Sequence, residues 1–125
     1  MLKLLLIGTG GFIGSVARYL LSVSIHKLSN GFLFPLGTLT VNLLGCVAIG
    51  FLAGLAEFRG VFSPEIRMFV FIGILGGFTT FSTFGYETYQ LLRDGQGQFA
   101  VANVCLSVVF GILAVWVGFA LAKNI

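Results

Sequence analysis

The chain is short of charge. Asp, Glu, Lys and Arg make up 9% of its 125 residues, while 58% are hydrophobic. Soluble domains carry about 25% charged residues. So few charges cannot cover a water-facing globule, and the mean hydropathy of +1.07 puts the chain in a membrane. Carboxylates are scarcest: Glu57, Glu65, Glu87 and Asp94 are the whole supply, each at the end of an apolar run. There is one histidine, His26, beside Lys27 at a segment end. No Ser/His/Asp set and no cluster of metal-ligating side chains can be assembled, so an enzyme is not expected. Cys46 and Cys105 lie inside apolar runs without CxxC spacing; they read as small buried hydrophobes, not as a disulfide or metal pair. The seven basic residues, which give a net charge of +3, are scattered singly. That removes the clustered face that nucleic acid requires. The first apolar run starts almost at Met1 and shows no small-residue cleavage site, so it reads as a crossing and not as a cleaved leader.

What is present is apolar length. A membrane-crossing helix needs about 20 predominantly apolar residues, and the charges divide the chain into four such pieces. They run from about 4 to 25 (interrupted by Arg18), 36 to 56, 67 to 92 and 99 to 122. The predicted fold is an all-α, single-domain membrane protein of four transmembrane helices, spanning residues 1–125. The connections are short, and the one around Glu57–Glu65 has room for an interfacial piece. Glycines recur at helical spacing: Gly10 with Gly14, Gly50 with Gly54, Gly73 with Gly77, and Gly111 with Gly118. Such stripes let helices approach closely in lipid.

Orientation is barely specified. Four crossings place Lys3, Arg59, Arg67 and Lys123 on one side, and Lys27, Arg93 and the inset Arg18 on the other. Four against three is too small a Lys/Arg excess to fix topology. The chain is therefore expected to insert both ways and to pair with an inverted copy of itself as an antiparallel dual-topology homodimer.

The third run holds the most unusual segment, Gly76-Gly77-Phe78-Thr79-Thr80-Phe81-Ser82-Thr83-Phe84, inside a stretch uncharged from Met68 to Tyr86. Paired glycines weaken a helix, and freed backbone groups at membrane depth are tolerated only where protein or a water-filled cavity satisfies them. A break in the third helix is expected here. Polar, uncharged residues recur on the other helices: Thr38, Thr40 and Asn42 on the second, Asn103 and Ser107 on the fourth. Asn103 also reads as glue between helices, and Glu87 as a plain interfacial charge. Together these donors can line a narrow route for a small, strongly hydrated anion. Phe81 and Phe84, three residues apart, can turn electropositive ring edges toward it, although core packing alone also explains them. Unwound carbonyls at mid-membrane form a cation site, so an anion path beside a carbonyl-bound cation is expected.

Gly8-Thr9-Gly10-Gly11-Phe12-Ile13-Gly14 has the look of a dinucleotide-binding turn. No second strand and no acidic residue about 20 positions later supports that; helix packing explains it better.

The segment 76–84 resembles the third-helix signature of the Fluc (CrcB) fluoride channels. So do Gly37-Thr38-Leu39-Thr40-Val41-Asn42-Leu43-Leu44-Gly45 and, more weakly, Gly10-Gly11-Phe12-Ile13-Gly14 with Arg18-Tyr19. The resemblance covers essentially the whole chain. It implies passive fluoride export through two pores of an antiparallel dimer in the cytoplasmic (inner) membrane, relieving fluoride toxicity. By matching positions it implies Phe81 and Phe84 as fluoride-facing rings, with Asn42, Ser82 and Thr83 as donors. It further implies Thr40 and Ser107 as a polar track, and Arg18 as a vestibule charge. The Gly76 and Thr79 carbonyls would hold a structural Na⁺ at the dimer centre. Some members carry tyrosine at the position of Asn103. The competing class is a small proton-coupled multidrug exporter of dual topology, which needs a carboxylate at membrane depth; only Glu87 comes near. A non-transporting membrane subunit is the third.

Overall fold

The short polar breaks between the apolar runs become the turns of a bundle of four crossings. In the computed structural model, which describes all 125 residues, helix 1 is Leu2–Leu28 and helix 2 is Leu36–Arg59. The third crossing spans Pro64–Arg93, and helix 4 is Gly97–Lys123. All four are long and apolar enough to cross a membrane, and no strand is present. The helices extend past the uncharged runs to take in basic residues: His26 and Lys27, Arg59, Arg93 and Lys123 occupy last turns. Cations there complement the negative helix C-terminus, and their flexible stems reach to the headgroup level.

Between helix 2 and the third crossing there is no separate interfacial piece. Gly60, at φ 61°, ends helix 2 in the left-handed conformation that suits glycine. Pro64 then opens the next helix directly, with Ser63 Oγ accepting the Ile66 N–H at 3.3 Å.

The crossings pack as two parallel pairs. Along helix 1, Gly10 sits against Phe69 and Gly73, and Gly14 against Ile74 and Phe78 of the third crossing. Along helix 2, Gly50 meets Val115, and Gly54 meets Phe119 and Ala122, while Gly118 of helix 4 meets Val47 and Phe51. Numbers rise together in both pairs, as alternating crossings demand. Apolar tails already solvate apolar side chains, so helix association in lipid rests on close packing; the glycine stripes supply it.

The third crossing is interrupted, and the interruption lies two residues beyond the glycine pair. Residues 68–75 wind in a wide π-type helix, and Gly76–Phe78 continue it helically. Thr79 (φ −85°, ψ 157°) and Thr80 (φ −150°, ψ 116°) are extended, and the helix restarts as Phe81–Arg93. Gly76 and Gly77 are thus not the break. A Cβ on Gly77 would stand 2.5 Å from the Gly11 carbonyl oxygen, so that glycine admits helix 1. The threonines make the break because Thr80 can cap the restarted helix: its Oγ1 accepts the Thr83 N–H at 3.3 Å.

A hydrogen-bonded break in the third crossing

Two extended residues leave unpaired backbone groups in the middle of a membrane-spanning segment, and each must find a partner. Asn42 of helix 2 supplies one for both groups of Thr80. Its Oδ1 accepts the Thr80 N–H at 2.8 Å, and its Nδ2 donates to the Thr80 carbonyl at 3.0 Å. A side-chain amide carries two N–H groups and one carbonyl, so one N–H of Asn42 stays free. In an unbroken helix the Thr80 N–H would go to the Gly76 carbonyl; here it goes to Asn42, which releases that oxygen. Thr79 Oγ1 donates back to the Leu75 carbonyl at 2.9 Å.

Asn42, Gly45, Gly76, Thr79, Thr80 and Phe81 line one open groove of about 350 Å³. Beside it the Phe81 and Phe84 rings lie 5.6 Å apart, tilted by 43°. Thr80 Oγ1 donates to Thr83 Oγ1 at 2.9 Å, which leaves the Thr83 hydroxyl hydrogen available. Ser82 and Thr83 are exposed on the protomer, and Phe81 is 82% exposed. Arg18, Thr40, Ser82, Thr83, Phe84 and Ser107 do not line this groove. Arg18 is half-buried on helix 1 with no carboxylate in ion-pair range; the one ion pair joins Arg93 to Asp94 at 2.8 Å. Ser107 Oγ is buried without a hydrogen-bond partner.

Two features escaped sequence reading, as did the partner of a third residue. Glu87 is no plain interfacial charge: it is partly buried, and its Oε1 accepts the Thr38 hydroxyl at 2.8 Å while its Oε2 is shielded and unpartnered. Asn103 is the expected glue between helices, with Thr88 as its partner: its Nδ2 donates to Thr88 Oγ1 at 2.9 Å. Cys105 is exposed on the outer face of helix 4, while Cys46 is half-buried. Only the first left a trace in sequence, an acidic residue placed directly after an uncharged run.

Groups that hydrogen-bond without bearing charge, set around an interrupted helix, can strip water from a small ion and release it again. Comparison with other proteins places the chain more narrowly. The family described as "CrcB-like protein, Camphor Resistance (CrcB)" matches residues 5–119. A protein of Methylobacillus flagellatus is 48% identical over 98% of this chain and 96% of its own length. One of Chlorobium phaeobacteroides is 45% identical over 96% and 92%, and one of Elusimicrobium minutum 48% over 96% and 93%. All three bear the name "Fluoride-specific ion channel FluC". With that family matched almost end to end, the chain is a multi-pass membrane protein belonging to the CrcB family.

Proposed function

We propose that this protein is a fluoride-selective channel that lets fluoride leave the cell passively across the cytoplasmic membrane and so lowers its toxicity. The observation that carries the reading is the near-full-length identity to channels so named, 48% in the M. flagellatus protein. The site's chemistry supports it. Asn42 keeps a free amide N–H and Thr83 a free hydroxyl hydrogen beside the electropositive edges of Phe81 and Phe84. Thr40 and Ser107 extend the donors as a polar track, for which the unpartnered Ser107 hydroxyl is suited. Arg18 draws anions to the vestibule without an ion-pair partner to neutralise it. Donors set at close fit penalise larger halides, which cannot make all the contacts at once.

The working unit in this reading is an antiparallel homodimer with two pores. Its support is a surface ill-suited to lipid: Ser82 and Thr83 present hydroxyls beside an exposed Phe81 at membrane depth, where acyl chains offer no hydrogen bonds. An inverted copy covers that face. A Na⁺ at the two-fold centre fits the residues present. The released Gly76 carbonyl and the Thr79 carbonyl give hard oxygen ligands from each copy, as hard cations prefer. The ion would supply fixed positive charge that holds the two breaks together.

Liposomes holding only this protein test the reading. Fluoride efflux well above that of protein-free vesicles, with chloride efflux near background, is the expected result; equal rates for both halides would refute it. Glu87→Gln in the same assay addresses the exporter alternative. Fluoride efflux that persists without the carboxylate, together with no proton-driven drug uptake by the unmodified chain, excludes proton coupling.

A further inference from the structure

Resting on the channel reading, we propose that Asn103, on helix 4, is a positioning residue that fixes Phe84 in the pathway through Thr88. Asn103 is 1% exposed, the most buried polar side chain of the molecule. Its Nδ2 donates to Thr88 Oγ1 at 2.9 Å, and Thr88 Oγ1 donates in turn to the Phe84 carbonyl at 2.8 Å. The direction of this relay is forced. The single hydroxyl hydrogen of Thr88 is committed to Phe84, so the oxygen can only accept from the amide. A threonine bonding back to the carbonyl four residues earlier can bend its helix, and the carbonyl taken here is that of Phe84, one turn beyond the break. The rotamer of Thr88 that makes this bond is selected by Asn103. The short helix Phe81–Arg93 has few other fixtures: Leu91 is its one buried residue, Thr38 holds Glu87, and Asn42 reaches only as far as Thr80. Asn103 is the side chain through which helix 4 hydrogen-bonds to this short helix, and so to the turn that carries Phe84.

The test measures fluoride and chloride efflux from liposomes, with dimer content tracked by size-exclusion chromatography, for Asn103→Leu, Thr88→Val, Thr88→Ser and the double variant Asn103→Leu/Thr88→Val. Leu keeps the branched heavy-atom skeleton of Asn and removes the amide; Val does the same for the Thr hydroxyl. Each is expected to lower the fluoride-over-chloride ratio about fivefold, the scale of one hydrogen bond, with the dimer intact. Thr88→Ser keeps the ratio. The double variant falls no further than either single one, because both cut the same relay. A packing role alone would lower thermal stability without moving the ratio. An unchanged ratio in Thr88→Val, or in a folded Asn103→Leu, overturns the proposal, as do losses that add in the double variant. Absence of fluoride efflux from the unmodified chain would instead overturn the channel reading, and this inference with it.

Discussion

Phe81 shows how much one side chain is asked to do. It is the first residue after the break, 82% exposed, and touches Phe84 across 5.6 Å. In a soluble protein an exposed phenylalanine would be a bare apolar surface. At membrane depth, among hydroxyls, its distinguishing property is the ring quadrupole, whose positive edge an anion can approach. Isoleucine keeps the apolar bulk and removes that edge. Phe81→Ile and Phe84→Ile are each expected to cut fluoride efflux at least about tenfold, corresponding to about 1.4 kcal/mol, while the dimer survives in detergent. Efflux at the unmodified rate from either variant would show that the rings only pack. Asn42 works at the same scale by a different route. It satisfies both backbone groups of Thr80, and its loss would strand two polar groups in a low-dielectric interior, at a cost of about 1–3 kcal/mol each.

At the scale of elements, the third crossing is two short pieces fastened to different neighbours. The first piece is clamped to helix 1 by glycines too close for any side chain. The second is tied to helix 2 by Thr38 and to helix 4 by Asn103. Asn42 spans the gap. A side chain at Gly14 would collide with the Ile74 carbonyl and the Phe78 backbone nitrogen, and backbone cannot rotate away as a side chain can. Gly14→Leu should therefore push helix 1 off the first piece, costing about 1–3 kcal/mol or more and lowering the unfolding temperature in detergent. Gly8→Ala is the control, since a Cβ there meets nothing within 4 Å. Equal unfolding temperatures for the two variants would show that the clamp carries no energy.

At the scale of the whole molecule, the sparse and balanced charge becomes an instruction about assembly. Too few basic residues distinguish the two sides to favour one insertion strongly, and the proposed dimer needs both. Appending several lysines to the C-terminus biases a chain toward one orientation. Such a chain, expressed alone in fluoride-sensitive cells, is expected to give no protection. Co-expression with a chain biased the other way restores it. Full protection by the one-sided chain alone would refute antiparallel pairing.

Hydropathy and charge spacing are local properties, and they were enough to determine the membrane class, four crossings, the near absence of topological bias and the segment in which the third helix fails. The same residues named the polar set around Asn42, Thr79, Phe81 and Phe84, because hydroxyls and amides in an uncharged apolar run stand out without any partner in view. Partners were another matter. Asn42 meets Thr80 across 38 positions and Thr38 meets Glu87 across 49, and such pairings depend on which faces of which helices the packing brings together. Tertiary structure moved the break from Gly76-Gly77 to Thr79-Thr80, since a glycine pair serves equally to weaken a helix or to admit a neighbour, and only the position of helix 1 chooses. It also turned Glu87 inward, turned Cys105 outward and linked Asn103 to Phe84 through Thr88, because the rotation of a helix about its axis is settled only when its neighbours pack against it.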